Sequence, residues 1–281
     1  MGNANSAGKS ARGATPTAHG AAHGAAPASP RRLSLLGLVY GVYSWLLFLL
    51  AAALVLPALL LTPQLSRRRA LVSGLARLAL RLAGMRLQVH GLGQLPQPCI
   101  VVANHSSYLD GVVLAATLPP CFSFVIKREM SAVPLAGTLL RRIGAEFVER
   151  GDRARGARDA RRLLRNAAIG HSLVFFPEGT FSTEVGLLRF HIGAFAAAVR
   201  ANLPVVPVAI RGTRHCLAPG SPWPRPGTVR IEALAALPSL PSAGGKDDRD
   251  QALLLRNAAR GALLAVLGEA DLEPELAANS P

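Results

Sequence analysis

Apolar and polar positions fall in long blocks along this chain, and the first third shows it most plainly. From Leu33 to Ser66 there is no charged residue at all: LSLLGLVYGVYSWLLFLLAAALVLPALLLTPQLS. About 20 apolar residues suffice for a helix to cross a bilayer core. The run before Pro57 is therefore long enough by itself, and it predicts a membrane helix, spanning or re-entrant, with a bend or stop at Pro57. It is too long, and begins too late, for a cleaved signal peptide. Tyr40, Tyr43 and Trp45 cluster near its start, as interfacial aromatics do. A second helix follows over 67–86. Leu71, Leu75, Leu78 and Leu82 share one face, with Arg77 and Arg81 elsewhere. A basic amphipathic helix at that place is expected to lie on the lipid surface.

Beyond residue 86 the pattern changes to short apolar runs separated by helical stretches. Strands are predicted at Leu87–Val89, Cys99–Ala103, Phe122–Ile126, Glu146–Val148, Ser172–Phe176, Val205–Ile210 and Thr228–Leu234. A helix from about Ala154 to Ile169 carries Arg155, Arg158, Arg161, Arg162 and Arg165. Those arginines read as a solvated face or as contacts to anionic lipid or donor phosphates. Pro, Ser and Gly between Pro238 and Gly245 form a linker, and a last amphipathic helix covers about Asp248–Leu267. The pattern gives an α/β fold with a mixed, largely parallel sheet flanked by helices. Residues 1–32, rich in Ala, Gly, Ser and Pro, make a disordered low-complexity tail, and its opening MGNANS fits the N-myristoylation pattern at Gly2. The expected organisation is this tail, a membrane-associated helical segment over 33–86, a catalytic domain over 87–240, and a linker with a C-terminal helix over 241–281.

Composition narrows the partners. Lys and Arg total 31 against 16 Asp and Glu, a formal charge of +15. That excess calls for an anionic partner. Nucleic acid does not fit, because no aromatic-studded basic strand or nucleic-acid motif is present. The arginines instead flank the apolar segment: Arg31 and Arg32 before it, Arg67, Arg68 and Arg69 after it, then Arg77, Arg81 and Arg86. Anionic headgroups account for them, and the bias places the body of the protein on the cytoplasmic side of a membrane, the inner membrane in a bacterial cell. The three cysteines, Cys99, Cys121 and Cys216, have no CxxC spacing and give neither a disulfide framework nor a zinc site.

Four short stretches carry candidate chemistry. In VVANHSSYLD an apolar strand ends on Asn104, His105 follows, and Asp110 comes five residues later. Ser106 or Ser107 can cap a helix, which places Asp110 in its first turn or just beyond, within reach of the imidazole. Such a carboxylate fixes a histidine tautomer and raises its basicity. GHSLV lacks the second glycine of a nucleophile elbow, so no serine nucleophile stands out, and His105 would act directly on a substrate hydroxyl as general base. The second stretch, LVFFPEGTFS, ends a buried strand in a sharp turn holding Glu178, Gly179 and Thr180. The third, EFVERGDR, presents Arg150 after a short strand, a residue type suited to gripping phosphate. In the fourth, LPVVPVAIRGT, Pro204 and Pro207 bracket a strand leading to Arg211.

In this order the four stretches resemble the blocks of the glycerolipid acyltransferases, whose bacterial members include the 1-acylglycerol-3-phosphate acyltransferases. NHSSYLD matches the Asn-His-x4-Asp block, FVER the second, FPEGT the third and VPVAI the fourth. The resemblance covers about Leu33–Leu237. It implies a membrane-bound O-acyltransferase of phospholipid biosynthesis that makes phosphatidic acid. His105 would be the general base, oriented by Asp110, and acyl-CoA or acyl-carrier protein the donor co-substrate, with no cofactor, no metal and no covalent acyl-enzyme. Arg150 would bind the acceptor phosphate. Glu178 and Gly179 would shape the acceptor pocket, with Asn104 and Thr180 as further contacts. Two positions depart from the family pattern. Phe181 stands where phosphate-acceptor members carry Arg after Glu-Gly-Thr, and FHIGAF has His191 where many members have a cation. Both departures raise the standing of another lysolipid acceptor, a lysophospholipid or a lyso-ornithine lipid. An inactive membrane-surface binding protein is the remaining alternative.

Overall fold

In the computed structural model the described residues are 34–149, 162–163, 171–239, 242 and 244–273. The 1–32 tail with Gly2, Arg150, and most of the arginine-rich helix expected at 154–169 lie outside them.

The centre is a seven-stranded sheet. Its strands are β1 (Met85–His90), β2 (Ile100–Ala103), β3 (Phe122–Lys127), β4 (Glu146–Val148), β5 (Ser172–Phe175), β6 (Val205–Arg211) and β7 (Gly227–Ala233). They lie in the order β1-β7-β6-β2-β5-β3-β4. Every neighbouring pair is parallel except β6 with β7. All seven fall where the apolar runs put them, within two residues at each end. The reason is burial: β2 is covered completely and β6 nearly so, and a parallel strand covered on both faces must be apolar throughout.

Strand alternation then sorts side chains into two cores. Val101 and Ala103 of β2 face α3 (Leu109–Thr117), where Leu109, Val113 and Leu114 meet them, together with Leu80 of α2 (Leu65–Leu82). Ile100 and Val102 face the other way. They pack with Phe195 and Ala198 of α5 (Gly193–Ala201) and with Ala252, Leu255, Ala259 and Leu263 of α7 (Gly245–Leu267). Among the described residues the other α-helices are α1 (Leu35–Leu61), α4 (Ala136–Arg142) and the single turn α6 (Thr213–Cys216). The C-terminal helix thus forms one wall of a core that the central strands share.

Helix α1 is long and apolar enough to cross a membrane, and most of it is uncovered. It runs through Pro57 to Leu61, so the expected stop lies at Thr62, whose N–H and hydroxyl both return to the Ala58 carbonyl before Pro63. Leu36, Val39, Leu46, Leu49, Leu54 and Leu60 are all exposed. The opposite side is fastened to the body. The Tyr40 hydroxyl donates to the Ala83 carbonyl, the Tyr43 hydroxyl to Leu82 O at 3.2 Å, and Trp45 Nε1 to Pro222 O at 2.6 Å. Farther on, Val55 and Leu59 pack with Ile143, against Leu71 and Leu75 of α2.

Helix α2 leaves Leu78 and Leu82 exposed. It packs between α1 and α3, and its arginines serve the ends of other helices. Arg69 donates to Ile143 O at 2.8 Å, Gly144 O at 3.3 Å and Pro120 O at 3.1 Å, and also reaches the Ser123 hydroxyl. Arg77 and Ser73 both reach Ala116 O near the end of α3. Cations satisfy the last carbonyls of a helix and the negative end of its dipole. Periodicity places an arginine on a helix face but does not reveal a carbonyl some forty or more residues away.

One glycine fixes the exit from β6. Gly212 has φ of +90°, and a Cβ there would lie 2.2 Å from the Thr228 carbonyl oxygen of β7. The next residue, Thr213, is fully buried and meets the Ser106 hydroxyl at 3.2 Å. Gly212→Ala combines a left-handed backbone with a collision against main chain, and should destabilise the protein by about 2 kcal/mol or more. Thermal or urea unfolding of the detergent-solubilised protein checks this.

Candidate active site

The carboxyl ends of β2 and β5 bring the candidate residues together, where ligands gather in open α/β sheets. β2 stops at Ala103 because the next residue replaces a strand pair with its side chain. Asn104 Nδ2 donates to Ile210 O at 2.9 Å, and its Oδ1 accepts from Ile210 N at 2.7 Å. The amide thus continues the β2–β6 ladder by one step while the main chain turns away. Asn104 is buried, and both ends of its amide are engaged.

His105 follows at the turn. Its Nδ1 lies 2.9 Å from Asp110 Oδ2. The same oxygen accepts from Ser106 N at 2.7 Å and Ser107 N at 2.8 Å. Asp110 sits in the first turn of α3, so its carboxylate caps the helix start and takes up two main-chain donors there. Ser107 completes the cap: its hydroxyl accepts from Leu109 N at 3.2 Å and donates to Leu217 O at 2.7 Å. An acceptor-only carboxylate requires the proton on Nδ1, which leaves Nε2 with its lone pair. Asp110 is wholly buried, whereas the imidazole is 19% exposed and reachable from outside.

The turn after β5 closes the other side. Glu178 Oε1 accepts from His105 N at 2.6 Å, and Oε2 accepts from Leu188 N at 2.9 Å. The side chain therefore braces the main chain at the histidine. Burial pushes its carboxyl up to about 8, against those two donors, and the Asp110 charge adds in the same direction. Gly179 has φ of +76° and donates to Phe176 O at 3.1 Å, which makes the turn sharp. Thr180 is exposed at the rim. Phe176 stacks on the imidazole at 4.3 Å between centroids, and Phe181 meets it edge-on at 4.6 Å. Phe181 also touches Tyr108 edge-on at 4.7 Å, and Tyr108 is 69% exposed.

Of the sequence-predicted site residues, Asn104, His105, Asp110, Glu178, Gly179 and Thr180 thus come together, and Arg150 lies outside the described residues. His191 is exposed, and its N–H donates to Pro177 O at 2.8 Å. Sequence reasoning missed Phe176, whose apolar character inside a strand run gave no sign of a ring stacked on the base. It also missed Arg214, whose Nη1 donates to Ser182 O at 2.9 Å and Thr183 O at 3.2 Å and ties the Phe181 loop to α6.

Residues 86–211 match the family model described as Acyltransferase. The chain is 33% identical over 264 residues to the lyso-ornithine lipid O-acyltransferase of Pseudomonas aeruginosa, covering 86% of this chain and 93% of that protein. It is 38% identical over 172 residues to the human lysophospholipid acyltransferase LPCAT4, covering 59% of this chain. There it spans only 32% of the relative's length. It is 30% identical over 165 residues to human 1-acyl-sn-glycerol-3-phosphate acyltransferase beta, covering 56% of this chain and 57% of that protein. Its fold is that of the 1-acyl-sn-glycerophosphate acyltransferase PlsC from Thermotoga maritima, with a TM-score of 0.63 at 21% identity, covering 81% of this chain and 96% of that one. With one relative matched over nearly its whole length, and a matched segment that holds His105, Asp110 and Glu178 in one site, the chain belongs to the glycerolipid acyltransferase family.

Proposed function

We propose that this enzyme is a membrane-bound lysolipid O-acyltransferase in which His105 is the general base and Asp110 its orienting carboxylate. The observation that carries this reading is the Nδ1–Asp110 bond, which leaves Nε2 bare on a partly exposed ring. Nε2 takes the proton from the acceptor hydroxyl as its oxygen attacks the carbonyl carbon of an acyl thioester, acyl-CoA or acyl-carrier protein. The tetrahedral intermediate collapses, the carbon–sulfur bond breaks, and the departing thiolate takes the proton back from the imidazolium. Phe176 and Phe181 flank the ring and hold it in place. Family membership and a complete His–Asp–Glu arrangement speak for catalysis and against an inactive binding protein.

Helix α1 supplies the membrane contact. Its N-terminal half is bonded to residues 82, 83 and 222, and its C-terminal half packs on α2. A helix fastened to the body along its length presents its bare side to lipid and holds the site beside the bilayer. This supports the re-entrant reading over a free span. The flanking arginines favour the cytoplasmic side.

Likeness to the family blocks supports 1-acylglycerol-3-phosphate as the acceptor, with Arg150 on its phosphate and phosphatidic acid as product. Phe181 favours a second reading. The position that carries Arg in phosphate-acceptor members here holds a ring packed on His105 and Tyr108. An apolar wall beside the base suits a lysolipid whose phosphate is absent or more distant, and the relative matched over 93% of its length is named for lyso-ornithine lipid.

His105→Ala should lower turnover by about a hundredfold or more while the protein stays folded. Transfer of label from acyl-CoA to a panel of lysolipids checks it, and wild-type turnover in that variant would remove the base assignment. On the same panel, Phe181→Arg should shift preference toward 1-acylglycerol-3-phosphate by about tenfold in kcat/KM, because it restores a cation beside the acceptor. An unchanged preference would remove Phe181 from acceptor selection.

A further inference from the structure

The C-terminal helix lies well beyond the matched segment 86–211, yet one of its side chains is linked to the site through the Leu187–Leu188 main chain. Arg260 on α7 is buried, with its side chain 8% exposed. Nη2 donates to Leu187 O at 3.0 Å and Nε to Leu188 O at 3.3 Å. The Leu188 N–H is the donor that occupies Glu178 Oε2, and the other Glu178 oxygen holds the His105 N–H. A continuous run of hydrogen bonds therefore joins α7 to the main chain of the base.

The segment after α7 completes this arrangement. Arg260 grips Asp271 with two parallel bonds, Nη1 to Oδ2 at 2.8 Å and Nη2 to Oδ1 at 2.5 Å, and Glu273 Oε2 lies 3.3 Å from Nε. Asp271 in turn accepts from Glu273 N at 2.9 Å. The segment is laced to the loop through main chain as well: Leu187 N donates to Ala270 O at 2.9 Å, and Leu272 N to Leu187 O at 3.2 Å. The contact leaves no room. A Cβ on Gly186 would lie 2.6 Å from Leu272 Cγ and 2.8 Å from Ala270 O. A buried guanidinium is costly unless its donors are used and its charge is matched. Here all three nitrogens are bonded, and the Asp271 and Glu273 carboxylates face the guanidinium charge.

We propose that Arg260 is a positioning residue, and that it and the Ala270–Glu273 segment form a brace holding the Leu187–Leu188 main chain, and through Glu178 the backbone of His105, in register for proton transfer. This rests on His105 being the base. Small displacements of a catalytic group have large kinetic effects, so a brace of this kind acts on turnover rather than on donor binding.

Full-length Arg260→Met, Arg260→Lys and Gly186→Ala are compared with the unsubstituted enzyme in detergent. The probes are labelled palmitoyl-CoA and a lysolipid that the unsubstituted enzyme accepts, and rates are divided by the folded fraction from thermal melts. Arg260→Met should lose about tenfold or more in kcat, with KM for palmitoyl-CoA changed less than about twofold. Arg260→Lys, which keeps the charge and one donor direction, should recover part of the loss. Gly186→Ala, which pushes loop and segment apart, should change the rate as Arg260→Met does. Wild-type kcat per folded Arg260→Met molecule overturns the proposal, as does a rate loss that only follows the loss of folded protein. Should Arg260→Met not fold, wild-type kcat in folded Gly186→Ala overturns it. His105→Ala, run in parallel, separates this from the reading it rests on: full activity there removes the base itself.

Discussion

The site depends on one oxygen. Asp110 Oδ2 accepts the imidazole N–H of His105 and the main-chain N–H groups of Ser106 and Ser107. A fully buried carboxylate would be costly without such donors. Here they come from the residues that must turn between a strand end and a helix start. The same bonds begin α3, fix the imidazole, and place its free nitrogen on the open side. Local structure and chemistry share a single interaction, so the histidine cannot be moved without also unmaking the helix cap.

A second carboxylate works on the same residue from the opposite direction. Asp110 takes the ring N–H, and Glu178 takes the backbone N–H. The two differ in their donors. Asp110 Oδ2 alone collects three, whereas Glu178 collects one on each oxygen, and burial holds its carboxyl near 8. Asp110, bonded to the ring itself, is therefore the partner placed to stabilise the imidazolium that forms during the reaction. Around this polar centre, Phe176 and Phe181 make the walls, and Asn104 locks the strand end.

Much of the fold was legible because the central strands are buried on both faces. Ile100–Ala103 and Val205–Ile210 could only be apolar runs, and Gly and Pro bound the segments around them. His105 and Asp110 were legible because their contact is local, five residues apart across a helix start. What was not legible depends on partners far along the chain. Periodicity places the arginines of α2 off its leucine face, and it does not show that Arg69 and Arg77 reach carbonyls some forty or more residues away. Glu178 reads as shaping the acceptor pocket from a turn, and its bonds to main chain at 105 and 188 have no sign in the sequence. Nothing in the sequence sets Arg260 apart on the last helix, and only the packing of α7 beside the loop gives it a role.

The claim that Asp110 sets the histidine tautomer can be tested on the ring itself. Nitrogen-15 NMR of the histidine-labelled enzyme in detergent, assigned by comparison with His105→Gln, reads which nitrogen bears the proton in the neutral imidazole. His105 should carry a protonated Nδ1 and a bare Nε2, with that preference lost in Asp110→Ala. A proton resident on Nε2 in the unsubstituted enzyme would contradict it.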